Sequence, residues 1–204
     1  MEQKHREFAN ETLRTIFTRR SVRKFEDRQL AQEELSLILE AGRRAPSGGN
    51  NQTTHFTVIQ SPEIRKALRR LTEQELAKME ATPATYKSLR GAILASQAGT
   101  YRFDYEAPTL VVLSNRQSYG NAMADCVCAL ENMHLAAHSL GIGACYINAL
   151  HWLDDNPALR EFFAALGLLE EETICASLAL GYPAPSMRNL PPQQVTGNPV
   201  TFIR

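Results

Sequence analysis

The stretch TLVVLS, Thr109 to Ser114, carries no charge and no alternation of polar with apolar positions. Such a run reads as a strand covered on both faces, because a strand with one wet face would set a polar side chain at every second position. A long periodic segment follows it. From Ser118 to Leu140, Ala122, Cys126, Leu130, Met133 and Ala137 recur at intervals of three and four, the period of a helix. The small residues on that face let a second helix come close. Gly141-Ile142-Gly143 supplies a glycine stop, and Ala144 to Ile147 reads as a short further strand.

Outward from this centre the pattern is one α+β domain with a mixed central sheet. Toward the N-terminus, Phe8, Leu13, Ile16 and Phe17 give an amphipathic first helix. Gln32 to Ala45 gives a second helix, with Leu35, Ile38, Leu39 and Gly42 on one face. Pro46 must end it, since proline biases its predecessor away from helix. His55 to Gln60 reads as a strand. Ser61-Pro62-Glu63 then opens a polar helix running to about Met79, with serine as cap and proline in the first turn. Residues 82–108 are the least patterned, with a short helix around Leu89 to Leu94 followed by a loop; a mobile flap or variable insertion is expected there. Asn156 caps a helix to Leu166 with Pro157 in its first position. Ile174 to Leu180 is a strand closed by Gly181-Tyr182-Pro183, and Val200 to Ile203 is expected to add an edge strand.

The chain has 204 residues, 22 basic and 22 acidic, and 44% hydrophobic composition. Neutrality argues against a broad nucleic-acid or anionic-membrane surface, which would need a basic face. The apolar runs are too short to span a bilayer, and the charged opening MEQKHREF has no signal-peptide core. A cytoplasmic protein is expected. Cys126, Cys128, Cys145 and Cys175 sit in apolar sequence and read as buried thiols. Cys126 and Cys128 are two apart on a helix and so point to different sides, and no C-x-x-C occurs.

Against this neutral background, TRRSVRKF gathers Arg19, Arg20, Arg23 and Lys24 around Ser21. Cations at a helix C-terminus are stabilised by the dipole, which accounts for part of the cluster. In an extended segment, however, Arg19, Ser21 and Arg23 share a face. Two guanidinium forks beside a hydroxyl suit a phosphomonoester. APSGGNNQ, Ala45 to Gln52, is either a surface turn or a loop whose Asn50 and Gln52 amides read a planar heterocycle. His134 and His138 lie one helical turn apart without a third ligand nearby, so no metal is expected. Gly141 and Gly143 follow a helix and not a strand, which excludes a dinucleotide fingerprint. No nucleophile elbow occurs.

The order of these segments is more specific than any one of them. RRSVRKF, then APSGGNNQ before a strand, DYEAP leading into TLVVLS, DCVCALENMHLAAHSLGIGACYI, ALREFFAALGL and LALGYP together resemble the nitroreductase family of FMN-dependent oxidoreductases. The resemblance runs from about residue 12 to 195, with 72–100 unlike it. It implies a mixed, mainly antiparallel sheet flanked by helices, a variable helical or flap region at 72–108, and a C-terminal tail at 184–204 that embraces a partner. It also implies a homodimer holding FMN at the subunit interface. In such proteins the basic box holds the ribityl phosphate, which maps onto Arg19, Arg20 and Ser21. Arg23 would reach the N1–O2 edge and stabilise the reduced ring, the one catalytic role. Pro46, Ser47, Asn50 and Gln52 would line the ribityl chain and pyrimidine, and Cys145, Tyr146, Ile147 and Asn148 would pass near N5. Arg188 would close on the phosphate. Thr53 and Thr54 depart from the family's usual proline and aromatic residue. The implied chemistry passes two electrons from NADH or NADPH through the flavin to a nitroaromatic, a quinone or a similar small acceptor in ping-pong order. The alternatives are a reductive dehalogenase or ene-reductase-like enzyme, with Glu80, Tyr86 and Lys87 in its lid, or an FMN-binding sensor or store whose thiols respond to oxidants.

Overall fold

A computed structural model describes residues 9–204; Phe8, expected in the first helix, lies outside them. The elements run α1 (Glu11–Thr18), α2 (Gln32–Arg43), β1 (His55–Ile59), α3 (Pro62–Ala77), α4 (Lys87–Gln97), β2 (Thr109–Arg116), α5 (Ala122–Ser139), β3 (Gly143–Ile147), α6 (Pro157–Ala164) and β4 (Glu172–Gly181). The strands form one sheet in the order β1-β2-β4-β3. All three ladders are antiparallel. The parallel component is a single bridge between Ser21 and Ala144.

The TLVVLS run is the sheet's buried centre, and successive side chains leave it on opposite faces. Leu110 and Val112 enter one core with Leu68, Leu76, Phe163 and Ile174. Val111 and Leu113 enter the other with Ile38, Met133, Ala137 and Leu178. Between Leu113 and Ser114 the register with β4 slips at a bulge, which re-aims the end of the strand.

Helix ends follow the capping residues. Asn10, Ser61 and Asn156 each accept from the backbone N–H three residues on, satisfying donors the first turn leaves orphaned. At the far end of α5, Gly141 takes φ +73°. Ile142 N donates to Ala137 O at 2.8 Å and Gly141 N to His138 O at 3.0 Å, a Schellman closure. That turn delivers the chain straight into β3.

The structure differs from the sequence expectations at several places; α5 begins at Ala122 and not Ser118, and α6 ends at Ala164 and not Leu166. The helix expected to Ala45 stops at Arg43, because the bias imposed by Pro46 propagates back through its neighbour. The helix expected around Leu89 to Leu94 spans Lys87–Gln97, with Ala92, Ile93 and Ser96 buried. Residues 200–203 form no strand and are exposed, since a β-rich run needs a ladder partner and none meets it among the described residues. Cys128 is exposed while the other three thiols are buried. Among the described residues, no helix is long and apolar enough to cross a membrane.

Candidate functional site

The basic segment leaves α1 at Arg19, whose φ of −53° and ψ of 135° turn the chain extended. It then lies along the end of the sheet. Val22 N donates to Ala144 O at 2.9 Å, Glu26 N to Tyr182 O at 2.9 Å, and Ala184 N to Lys24 O at 3.0 Å. Two glycines make this seat possible. A Cβ on Gly143 would fall 2.7 Å from Val22 Cγ1, and one on Gly181 would fall 2.6 Å from Pro108 Cδ and 3.0 Å from Phe25 Cδ1. Gly143 and Gly181 are directly paired in the β3–β4 ladder.

Extended geometry splits the cations between two sides. Thr18, Arg20 and Val22 line a concavity of about 700 Å³, together with Arg28, His138 and Arg188. Arg188 is also ion-paired to Glu26. On the other side Arg19 Nη1 lies 3.2 Å from His134 Nε2, and its Nε lies 3.7 Å from Glu131 Oε1. Arg23 sits 5.9 Å from the centre of the Tyr105 ring. The structure therefore places Arg19 with Arg23, and Arg20 with Arg188. Lys24 is exposed.

The strip from Cys145 to Asn148 runs beside this segment. Cys145 and Ile147 are buried, while Tyr146 is exposed; its hydroxyl donates to Asn148 Oδ1 at 2.7 Å. Burial pushes the Cys145 thiol up, and Arg23 and Arg19 only partly pull it back. For Arg23, burial opposes the charge, but Cys145 and Tyr105 outweigh it and hold the guanidinium above its usual value. His134 is pushed down to about 4, first by burial and then by Arg19. Its Nε2 also lies 3.1 Å from Ala144 O. One nitrogen cannot serve both partners: protonated it donates to the carbonyl, unprotonated it accepts from Arg19. His138 instead meets Thr18 Oγ1 at 2.9 Å.

Pro46, Ser47, Asn50 and Gln52 come together around a second concavity of about 560 Å³, which also touches Asp125. The loop holds Gly49 at φ +59°, Asn50 at +56° and Gln52 at +51°. Left-handed geometry in non-glycine residues costs of the order of 1 kcal/mol or more each and persists where surrounding contacts impose it. Ser47 Oγ accepts from Gln52 N at 3.0 Å, and Gln52 Nε2 donates to Asn50 Oδ1 at 3.0 Å. The two concavities have no lining residue in common.

Tyr105, Asp125 and Tyr119, which contact these segments, were not singled out from the sequence, and His134 was weighed there only as a metal ligand. Tyr105 and Glu106 both take positive φ. Their turn is fastened by Asp104, which accepts two 2.8 Å hydrogen bonds from Arg69. Nothing local in DYEAP announces that anchor. Tyr86, with Trp152 edge-on at 5.8 Å, Lys87 and Glu80 are all exposed.

The sequence pattern described as the Nitroreductase family matches residues 16–182. The chain belongs to the nitroreductase family. A relative from Archaeoglobus fulgidus, provisionally named an NADH dehydrogenase/NAD(P)H nitroreductase, is 32% identical over 85% of this chain and 86% of its own length. A Bacillus subtilis FMN reductase [NAD(P)H] is 26% identical over 95% of this chain and 75% of its own. A Bacteroides fragilis nitroreductase crystallised with bound FMN is 38% identical, with a TM-score of 0.84 over 96% of this chain and 100% of that one. The nitroreductase fold, a mainly antiparallel sheet between helical layers, is thus shared along nearly the whole chain.

Proposed function

We propose that this nitroreductase-family protein is an FMN-dependent NAD(P)H oxidoreductase that acts as a homodimer. One observation carries the reading. The residues suited to a flavin mononucleotide are sorted by the fold into two complementary sets, guanidiniums beside a β-strip and amides on a glycine loop. The odd-numbered side of the basic segment, Arg19, Ser21 and Arg23, fits the phosphate and the N1–O2 edge, because bidentate guanidinium contacts suit both. Arg20 and Arg188 approach from the opposite side and form a secondary pair. Pro46, Ser47, Asn50 and Gln52 fit the ribityl chain and pyrimidine, and their separation from the basic segment within one chain supports a site completed by a second copy. Bound there, FMN would supply the two-electron relay between NADH or NADPH and a nitroaromatic, quinone or similar small acceptor.

The chain's own groups then have limited tasks. Arg23 keeps a fixed positive charge where negative charge accumulates on reduction, which costs no reorganisation at that moment. Tyr146 and Asn148 shape the open face, which donor and acceptor occupy in turn, as a ping-pong order requires. Cys145 speaks against the sensor alternative, because a buried thiol with a raised pKa is a poor reactive thiolate.

Stopped-flow mixing of FMN-loaded protein with NADH or NADPH tests this. Rapid bleaching of the visible flavin band, recovered by adding a quinone, is the expected result. Bleaching by dithionite but by neither nicotinamide would overturn the NAD(P)H assignment. The double variant Arg19→Ala/Arg23→Ala is expected to purify colourless yet folded and dimeric, and stoichiometric FMN in it would sink the phosphate assignment.

A further inference from the structure

Asp125 is a buried carboxylate, 5% exposed, in the first turn of α5. Among the described residues it forms no ion pair with a side chain. Taking an acid out of water without a cation is costly unless hydrogen bonds and a favourable field replace the solvent. Its position near the N-terminus of α5 supplies the field. Its hydrogen bonds go to the amide loop: Gly48 N lies 3.1 and 3.3 Å from its two oxygens, and the Tyr119 hydroxyl donates to it at 2.9 Å.

Tyr119 reaches the same residue: its Oη is also 3.1 Å from Gly48 O, and its one proton is shared between that carbonyl and the carboxylate, so Gly48 is approached at its N–H by Asp125 and at its C=O by Tyr119. A Cβ on Gly48 would fall 2.3 Å from Asn121 Nδ2 and 2.4 Å from Tyr119 Oη, so any larger residue there would displace the Asn121 amide and the Tyr119 hydroxyl from their places beside the loop. Among the described residues, the other hydrogen bonds of residues 47–52 run within the loop: Ser47 with Asn50 and Gln52, Gly48 with Asn51, and Asn50 with Gln52. Gly48 is therefore the loop's polar tie to the scaffold, and Gly49, Asn50 and Gln52, held at positive φ, follow it.

We infer that Asp125, aided by Tyr119, is the positioning residue that sets the amide loop for its ligand. Through Gly48 it fixes where Ser47, Asn50 and Gln52 present their donors and acceptors, from the wall of the same concavity. The inference rests on the proposed flavin reading and names that ligand as FMN. A loop untied from α5 would spread over several conformations. Ligand binding would then have to select the competent one, with affinity lowered by its fraction.

FMN titrations of the flavin-stripped full-length chain, followed by quenching of flavin fluorescence, test this beside the visible circular dichroism of the bound flavin and thermal melts of the stripped protein. Asp125→Ala is expected to weaken FMN binding about 10-fold or more, as for loss of one hydrogen bond to a charged group, and to change the dichroism. Asp125→Asn is expected to recover most of the affinity, because its carboxamide oxygen still accepts from Gly48 N. Tyr119→Phe leaves the carboxylate in place and is expected to give a smaller loss of the same kind, which preserves the test should Asp125→Ala fold poorly. Gln52→Ala serves as the direct-contact reference. Parental affinity and dichroism in Asp125→Ala or Tyr119→Phe, whether or not the melting temperature falls, would overturn the positioning role while a loss in Gln52→Ala left the flavin reading intact. A parent chain that binds no FMN would overturn both.

Discussion

His134 is enclosed between α5 and β3 at 4% exposure, and the fold accommodates its neutral form. Burial, then the charge of Arg19, lowers its pKa from 6.5 to about 4. Above about pH 6.5 neither the folded nor the unfolded chain protonates it, so it contributes no pH dependence. Between about 6.5 and about 4 the unfolded chain gains a proton that the folded chain refuses, and stability falls as the pH drops. Below about 4 the loss is complete, at about 3 kcal/mol. His138 is lowered in the same direction by burial and Arg19 and adds to the same limb. His134→Gln keeps a polar group near Ala144 O and cannot titrate. Its urea-unfolding free energy is expected to fall less than the parent's between about pH 7 and pH 5; an acid limb as steep as the parent's would contradict the assignment. At this scale the sequence was half legible. The alternation in TRRSVRKF separated Arg19 and Arg23 from Arg20, and in the structure Arg19 and Arg23 both act on Cys145 while Arg20 lines the other concavity. The partners that direct those side chains, His134, Tyr105 and Glu131, were not, because each lies about half a chain away and no local pattern encodes such a contact.

The α2–α5 packing turns on Gly42. A Cβ there would fall 2.7 Å from Met133 Cγ, 2.9 Å from its Sδ and 3.1 Å from Phe56 Cε1. Gly91 in α4 has nothing within 4 Å of the same position. Alanine normally gains up to about 1 kcal/mol over glycine inside a helix, while overpacking a core costs about 1–3 kcal/mol. Gly91→Ala is therefore expected to stabilise by about 0.5–1 kcal/mol, and Gly42→Ala to destabilise by about 1 kcal/mol net, both read from urea midpoints. Equal shifts of the same sign would show that packing does not discriminate the two sites. Elements were the most legible level, because capping is local: Ser61-Pro62, Asn156-Pro157 and Gly141 each mark a helix boundary by chemistry within a few residues. The expected strand at Val200 to Ile203 failed for the opposite reason, since its β-rich composition cannot create a partner strand. The region around α4 was hard to read because Gly91 and its polar neighbours blur a helical period that Ala92 and Ile93 satisfy only by burial.

At the scale of the molecule, exposed apolar side chains occur on several elements, and two segments carry a run of them. Leu13 and Ile16 on α1 are exposed, as are Val195, Val200, Phe202 and Ile203 in the tail, the last at 97%. Apolar side chains grouped this way mark an interaction surface, which supports the proposed homodimer. Light scattering is expected to give about twice the chain mass of 22.8 kDa. Truncation after Leu190 is expected to raise the dimer's dissociation constant, and an unchanged constant would remove the tail from the interface. The sequence signalled the family along nearly the whole chain, and the resemblance already implied a site at a subunit interface, whereas the placing of the basic segment and the amide loop on separate concavities needed the folded geometry. The seat of the basic segment has a further consequence, in time and not in space. Ser21, Val22 and Phe25 are made early, but Ala144, Gly143, Gly181 and Pro183, which receive them, emerge late in synthesis. Contacts between distant parts of a chain must wait for both parts to exist and for the loop between them to close. A nascent chain on the ribosome, growing at roughly 5–20 residues per second, thus carries its arginines unseated until β4 is complete. Until then β3 also lacks the strand it pairs with, so the basic segment and the end of the sheet that seats it are completed together, and the proposed flavin must wait for both.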